Sequence, residues 1–190
     1  SDTTNSKMSF YAKSKTLAEK AAWDYVKNNN VSFELSVINP TAVLGPSLSN
    51  DIGVSNSMIL RMLNGEMPAL VKIHIGVVDV RDVAKAHLLS MQSDQSNGER
   101  FILSEKEMWM HEIANVLNKG GYKAPEKNMP NWLLKIIAIF KSDMVTISKM
   151  AGKKRMCHTN KAKEILGWDP ISAEDSILEA AKQLKEYKLI

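Results

Sequence analysis

The chain has 190 residues, of which 44% are hydrophobic and 24% charged, and this ordinary globular composition excludes extensive disorder. The single cysteine, Cys157, excludes an internal disulfide and favours an inert thiol in a reducing compartment. No long apolar run or leader-like start is present, so we expect a cytoplasmic protein without a membrane partner.

The formal net charge of +4 has one dense contribution, from Lys149, Lys153, Lys154 and Arg155. Such a cluster is typical of a solvated helix end, and we expect no nucleic-acid partner. A mild positive field would also suit an anionic substrate or a cofactor phosphate. No metal site is predicted, because the histidines lack carboxylate or cysteine partners at ligand spacing.

Polar residues 1–9 predict a loop, and a helix follows over 10–27. Its apolar stripe should face a core and contains Leu17, Ala18, Ala21, Ala22 and Tyr25. Alternating apolar and polar residues then predict a strand over 31–39, which ends at Asn39-Pro40 because proline cannot continue a ladder within a central strand.

A polar loop begins at Gly45-Pro46, and the pattern beyond it predicts a helix over 57–64 and a strand over 71–77. Asp79 stands at the N-cap of a helix that extends to about Gln92. The residues that this helix should bury are Val80, Val83, Ala84, His87, Leu88 and Met91. A strand over 101–103 and a helix over 107–117 complete this part.

Beyond Gly120-Gly121 the patterns are helical, over 130–140, 143–151, 159–166 and 173–188. Ser172 and Asp175 form a capping box for the last helix. The core-facing residues of the first should be Trp132, Leu133, Ile136, Ile137 and Phe140. The whole order predicts an α/β fold, with a sheet-containing part over 1–120 and a mostly helical part over 121–190 that belong to one incomplete domain.

Tyr11 and Lys15 stand four residues apart at the start of the first predicted helix, on one face and one turn from each other. A phenol is a weak acid, with an ordinary pKa of about 10, and a neighbouring ammonium stabilises its phenolate. Such a pair can pass a proton to or from an alcohol or carbonyl oxygen. The spacing alone is also common by accident on exposed helices.

Four motifs in order carry a family resemblance. The stretch from Tyr11 to Lys20 resembles the Tyr-x-x-x-Lys helix of extended short-chain dehydrogenases/reductases and their epimerase and dehydratase relatives. The segments 39–46, 78–87 and 166–170 are similar to this family's segment around the nicotinamide, its pocket-flanking helix start and its closing segment. The residues 13–23 look most like the dihydroflavonol reductase branch.

The resemblance implies a Rossmann-type parallel sheet and roles for individual residues. Tyr11 would be the general acid in carbonyl reduction, and Lys15 would assist it and bind the nicotinamide ribose. The other residues implied to contact the cofactor, NADP or NAD, are Pro40, Thr41, Ala42 and Val43. The residues implied to line a substrate pocket are Met8, Ser9, Ile75 and Asp79.

No glycine-rich phosphate-binding motif occurs in the 190 residues. In the resembled family this loop lies in the first of about five strand-helix units that precede the tyrosine helix. At roughly 30 residues per unit, we expect about 150 residues, including the nucleotide-binding half and a catalytic Ser or Thr, to lie outside this chain. We therefore expect the chain to be a carboxy-terminal part, inactive by itself, whose uncovered sheet edge favours self-association.

Three functions follow from the resemblance. The first is an NAD(P)-dependent oxidoreductase that reduces a small-molecule carbonyl or oxidises a secondary alcohol. The second is a nucleotide-sugar epimerase or dehydratase with the same Tyr-Lys pair, and the third is a non-catalytic binding or sensor relative. The presence of both Tyr11 and Lys15 favours an enzyme, because a degenerate site usually loses one of the two.

Overall fold

The computed structural model describes residues 9–140 and 142–190, which form helices around short strands. The elements of the first half are α1 (Phe10–Asn28), β1 (Val37–Pro40), β2 (Ala42–Leu44), α2 (Gly53–Leu63), β3 (His74–Asp79), α3 (Val80–Gln92) and β4 (Arg100–Leu103). Those of the second half are β5 (Lys106–Trp109), α4 (Met110–Lys119), α5 (Asn131–Phe140), α6 (Ser142–Met150), α7 (Asn160–Leu166) and α8 (Ala173–Glu186). This order confirms the predicted α/β class.

The strands form two small sheets. β1 runs parallel to β4, with Val37 opposite Arg100, and β2 runs parallel to β3, with Ala42 opposite Val77. The parallel prediction is therefore right for these pairs. β5 departs from it, because it pairs with β3 in the antiparallel direction, with His74 opposite Trp109.

Helix α1 has the predicted bounds, but the face predicted to be buried is wrong. Leu17 and Tyr25 of the apolar stripe are 47% and 57% exposed. The partly buried positions are instead Thr16, Glu19, Trp23 and Val26, on the neighbouring face. This face meets the rest of the chain through Glu19, whose carboxylate is bound by Arg100 of β4. The ion pair between Glu19 and Arg100 thus lies on the face of α1 that meets the rest of the chain.

Helix α3 also has the predicted bounds and N-cap, and its predicted buried face is likewise wrong. Leu88 and Met91 are 59% and 84% exposed, while the residues that it buries are Asp82, Ala86 and Ser90. The polar members are compensated by hydrogen bonds. The Asp82 Oδ2 accepts from the Ile171 N–H at 2.7 Å, and the Ser90 hydroxyl lies 2.5 Å from that of Ser36.

Four further elements have boundaries that differ from the sequence patterns. The strands predicted over 31–39 and 71–77 are the shorter segments β1 and β3, which extend only where a partner strand lies beside them. Helix α2 begins four residues earlier than predicted. The helix predicted over 107–117 begins only at Met110, because residues 106–109 pair with β3 as β5.

The second half has the predicted helices. Gly167 closes α7 in the left-handed conformation, with φ +61°, and the Ser172 Oγ caps α8 by accepting from the Asp175 N–H at 3.1 Å. In α5 the predicted core residues Trp132 and Ile136 are 64% and 45% exposed, and the buried residue is Leu134. Because α5 has a wide apolar face, its sequence pattern does not indicate which side of the helix packs against the rest of the chain.

Two hydrophobic cores lie on either side of the strands. The larger joins α8 to α2, α4 and β3, so that Ile177 and Leu184 pack with Leu44 and Ile59. The smaller contains Phe101 of β4 together with Trp168, whose indole N–H donates to the Asp82 carbonyl oxygen at 3.1 Å. The carboxy-terminal segment thereby fixes the start of α3, which follows Asp79 directly.

Candidate functional site

Tyr11 and Lys15 lie on one face of α1, as predicted. The Ser9 hydroxyl caps this helix by accepting from the Ala12 N–H at 3.2 Å, so the tyrosine stands in the first turn. The Lys15 Nζ is 5.8 Å from the centre of the Tyr11 ring. Tyr11 is 72% exposed, and no ion pair joins Lys15 to any acid in residues 9–140 and 142–190. Both groups are available to a ligand.

Glu19 anchors the same helix one turn further on. Its Oε1 and Oε2 accept from the Arg100 Nε and Nη2 at 2.7 and 3.0 Å, a two-pronged bond to β4. The guanidinium of Arg100 is the main reason that the pKa of Glu19 lies below its ordinary value. No local sequence pattern marks this contact, since 81 residues separate the partners.

The segment 40–43 lies where β1 passes into β2. The backbone N–H and the hydroxyl of Thr41 both donate to the Leu103 carbonyl oxygen, at 2.9 and 3.1 Å. Ala42 and Val43 pair with β3, and Pro40 is exposed. A Cβ on Gly76 would lie 2.6 Å from the Thr41 Cγ2 and from the Ser104 Oγ, so only glycine permits this approach. The structure thus joins Thr41 closely to β3 and to the end of β4.

Asp79 is completely buried, and its carboxylate is occupied by protein groups. The Arg81 side chain donates to both oxygens at 2.8 Å, and the Ser176 hydroxyl donates to Oδ2 at 2.7 Å. Burial favours the neutral acid, but these hydrogen bonds outweigh it and hold the pKa of Asp79 below its ordinary value. In this chain Asp79 links α3 to α8 and faces no open surface, which differs from the expected pocket-lining place.

The other three residues expected to line a pocket have different surroundings. Ile75 is half-buried against the larger core, on the strand face opposite to that of Gly76. Ser9 is half-buried and caps α1, as described above. Met8 lies outside the described residues. Among these residues, only Ser9 is therefore beside Tyr11 in the described structure.

One buried donor on β1 adjoins the segment 40–43. The Asn39 Nδ2 is buried beside the Glu19 carboxylate, whose pKa it helps to lower, but it makes no hydrogen bond of regular geometry within the described part of the chain. A buried polar group without a partner is costly, and a ligand can supply the missing acceptor. Together with the exposed Tyr11 and Lys15, this donor fits the nicotinamide end of a dinucleotide. A cradle for its pyrophosphate would need the glycine-rich loop that the sequence lacks.

Within the described residues, neither Cys157 nor the surface depressions form a second candidate functional site. Burial raises the pKa of the Cys157 thiol, and the nearby Glu107 carboxylate raises it further, which disfavours the reactive thiolate. Two shallow depressions, of about 260 and 210 Å³, border α4, and neither includes Tyr11 or Lys15. Over the described ranges we find no group of three potential metal ligands and no helix long and apolar enough to cross a bilayer.

Parallel strands with a Tyr-x-x-x-Lys helix before β1 define the class, which is that of the extended short-chain dehydrogenases/reductases. The NAD dependent epimerase/dehydratase family model matches residues 1–103. The chain therefore belongs to this family, and its curated relatives include reductases of the dihydroflavonol reductase-like superfamily.

Three similar proteins define the neighbourhood within that family. A putative NADPH-dependent methylglyoxal reductase of Candida albicans is 30% identical over 180 residues, which cover 92% of this chain and 50% of that protein. Cinnamoyl-CoA reductase 2 of Medicago truncatula is 40% identical over 110 residues, or 58% of this chain and 32% of that one. The crystal structure of yeast methylglyoxal/isovaleraldehyde reductase complexed with NADPH matches with a TM-score of 0.72 and 26% identity, covering 95% of this chain and 52% of that chain.

The coverage figures have a direct consequence. The chain spans about half the length of the methylglyoxal reductases that it matches along most of its own length. Their activity and cofactor are properties of proteins about twice as long. Each is therefore carried to this chain only as a proposal.

Proposed function

We propose that this chain is the substrate-side part of an NADPH-dependent reductase of small-molecule carbonyl compounds. The observation that carries the proposal is the exposed Tyr11-Lys15 pair, held on one face of α1 with the lysine amine 5.8 Å from the tyrosine ring. Membership of the family and the printed activities of the relatives support the reaction class. The relatives' use of NADPH supports NADP over NAD as the cofactor.

The residues of this chain act on the oxygen of the substrate. The Tyr11 hydroxyl donates its proton to the carbonyl oxygen, and the Lys15 ammonium stabilises the phenolate that remains. When bound, the reduced nicotinamide supplies the hydride that forms the new C–H bond, so that a C=O group becomes a secondary or primary alcohol. Lys15 also binds the ribose next to the nicotinamide, and Pro40, Thr41, Ala42 and Val43 contact the nicotinamide end beside Asn39.

The test is the substitution Tyr11→Phe in the complete protein, with NADPH consumption measured in the presence of methylglyoxal and of larger aldehydes. Loss of a general acid lowers turnover by roughly 10²- to 10⁴-fold, while NADPH affinity should stay nearly unchanged. Lys15→Met should lower turnover as well and also weaken NADPH binding. Tyr25→Phe and Lys20→Met, on exposed positions of the same helix, are the matched controls. Turnover of Tyr11→Phe equal to that of the controls would exclude the proposal.

A nucleotide-sugar epimerase or dehydratase is distinguished by the same experiment. Such an enzyme returns its hydride to the sugar, so it would not consume NADPH stoichiometrically with an aldehyde. Sustained NADPH consumption therefore favours the reductase. A non-catalytic relative would bind NADPH without consuming it in the presence of any carbonyl compound.

We also propose that the 190-residue chain associates with itself through β1. In the described part of the chain β1 pairs with β4 alone, so its other edge presents backbone groups without a strand partner. An uncovered strand edge is a template for pairing with a second chain. Exposed apolar residues of the helices, including Leu17 and Leu88, add surface that water disfavours.

A further inference from the structure

Asn39 adjoins both the helix of the candidate catalytic pair and the segment proposed to contact the nicotinamide. Ile38 packs against the smaller core, so the alternation of a strand directs the Asn39 side chain to the opposite face of β1. Glu19 of α1 lies on that face. The Arg100 guanidinium is the main group that lowers the pKa of the Glu19 carboxylate, and the Asn39 amide lowers it further. Because Pro40 follows directly, Asn39 is the point at which α1 meets the start of the segment 40–43.

The Glu19 carboxylate is held in place from two sides. It accepts from the Arg100 Nε and Nη2 at 2.7 and 3.0 Å, and from the Trp23 Nε1 of its own helix at 3.4 Å. Arg100 approaches from the same face of the sheet as Asn39, since the next residue of β4, Phe101, packs into the smaller core. The carboxylate therefore lies over two adjacent parallel strands, bound by Arg100 of β4 and beside Asn39 of β1.

The Asn39 amide is poised for a bond that it does not complete in this structure. Its nitrogen carries two protons and is buried beside a charged acceptor, yet it makes no hydrogen bond of regular geometry within the described ranges. A small displacement of the end of β1 toward α1 would complete the bond to Glu19. Glu19, Lys15 and Tyr11 stand at four-residue intervals, so this bond would act on the same row of α1 that carries the catalytic pair.

We propose that Asn39 is a positioning residue, which couples the binding of NADPH along residues 40–43 to the placement of Tyr11 and Lys15 through Glu19. This inference rests on the proposed reductase function. NADPH bound along residues 40–43 displaces the adjoining end of β1, and the Asn39 amide then completes its bond to Glu19 and holds α1 against the strand. The hydride must reach the carbonyl carbon while the Tyr11 proton reaches the oxygen, so α1 and the cofactor need one fixed relative position.

The first test is Asn39→Ala in the complete protein, with the primary deuterium isotope effect measured on NADPH labelled at the transferred hydrogen. This substitution removes no regular hydrogen bond, so the urea midpoint should stay close to that of the unsubstituted protein. Turnover should fall about tenfold, because misplaced reacting groups react more slowly, and the isotope effect should rise as hydride transfer becomes the slowest step. Asn30→Ala, on an exposed position just after α1, is the control. A lower kcat with an unchanged isotope effect would indicate a merely structural role and reject the proposal.

A reciprocal exchange tests whether Glu19 is the partner. Asn39→Asp places a second carboxylate beside Glu19, and the repulsion between them should lower kcat at least as much as Asn39→Ala. Glu19→Gln supplies an amide donor, so the double variant Glu19→Gln/Asn39→Asp restores a donor and an acceptor with their positions exchanged. The loss of kcat in this double variant should be smaller than the product of the two single losses. Asn30→Asp combined with Glu19→Gln is the control, and there the losses should multiply. Losses that multiply in both pairs would mean that Asn39 acts independently of Glu19.

Amide exchange over residues 10–28 of the complete protein gives a readout that is independent of turnover. NADPH should slow this exchange in the unsubstituted protein and in Asn30→Ala, and should slow it much less in Asn39→Ala. Equal slowing in all three would overturn the proposal. Slowing that depends on Asn39 in a protein that reduces no carbonyl compound would refute the reductase function and leave the coupling standing. Loss of turnover in Tyr11→Phe, with an unchanged isotope effect in Asn39→Ala, would support the reductase function and refute the coupling.

Discussion

The Arg100 guanidinium donates to both carboxylate oxygens of Glu19 and so joins β4 to the helix that carries Tyr11 and Lys15. Helix α1 buries no residue completely, which leaves this bond as its principal polar attachment to the strands. A proton donor must keep its position to within a fraction of an ångström. The orientation of the candidate catalytic pair thus depends on an ion pair one turn away.

Arg100→Ala should therefore loosen α1 without unfolding the rest of the chain. The pair is half-exposed, so we expect a local loss of roughly 1 kcal/mol, which corresponds to about fivefold faster amide exchange over 10–28. Hydrogen exchange measured by mass spectrometry tests this. Lys161→Ala, which removes the neighbouring contact with Glu99, should leave exchange in α1 unchanged. Equal exchange in both variants would show that α1 is held by other contacts.

Two buried aspartates three residues apart should respond differently to the same substitution. Asp79→Asn removes the charge that Arg81 and Ser176 bind, and should cost about 2 kcal/mol of unfolding free energy. Burial raises the pKa of Asp82, so a neutral amide there is tolerated and still accepts from the Ile171 N–H. Asp82→Asn should cost less than about 1 kcal/mol. Urea unfolding at pH 7 measures both, and equal costs would contradict the contrast.

The pKa shifts of Asp79 and Asp82 also determine how the stability of the fold changes with pH. The pKa of Asp79 is lower in the folded state than its ordinary 3.8. The ionised carboxylate therefore stabilises the fold fully above pH 3.8, and this stabilisation is lost as the pH falls through the folded pKa. The raised pKa of Asp82 has the opposite effect. The protonated Asp82 carboxyl stabilises the fold fully below pH 3.8, and this stabilisation is lost as the pH rises through its folded pKa. Asp79→Asn should therefore flatten the loss of stability in acid. A series of urea midpoints between about pH 3 and pH 6 checks this, and an unchanged slope would count against it.

Gly76→Ala should be among the more damaging single-methyl additions. The new Cβ would lie 2.6 Å from side-chain atoms of Thr41 and Ser104, and overpacking of this kind costs about 1–3 kcal/mol. Thr41→Ser removes the clashing Cγ2 and should recover part of the loss in the double variant. Thermal unfolding of the three variants gives the coupling between the two sites. Additive effects would mean that Thr41 does not limit the space at Gly76.

Self-association should depend on the outer edge of β1. The N–H groups of Val37 and Thr41 bond to β4, so the alternation of a strand directs the Ile38 N–H to the other edge. Ile38→Pro removes that donor and spares the ladder, and should shift a concentration-dependent oligomer toward the monomer in light scattering. Asn39→Pro, which removes a donor on the β4 side, should instead unfold this region. A monomeric unsubstituted chain at high concentration would refute self-association.

Local signals accounted for much of the fold. The starts of α1, α3 and α8 follow from the side-chain caps Ser9, Asp79 and Ser172, and the end of α7 follows from Gly167, because such signals act within one helical turn. The strands were harder, since a strand is completed by partners distant in sequence. Residues 106–109 illustrate this, because nothing nearby marks them as strand until β3 lies beside them. The faces of α1 and α3 were mispredicted for the same reason, as Glu19 and Asp82 are bound by Arg100 and Ile171, 81 and 89 residues away.

The sequence by itself determined the α/β class, the Tyr11-Lys15 spacing and the family, because each is a property of residue types at fixed local intervals. Only the tertiary structure decided that Asp79 is an internal link and that Thr41 packs against Gly76. Burial and proximity depend on which distant segments the folded chain brings together. Charge pairing across such distances is settled by the free energy of the whole fold, and no local pattern encodes it.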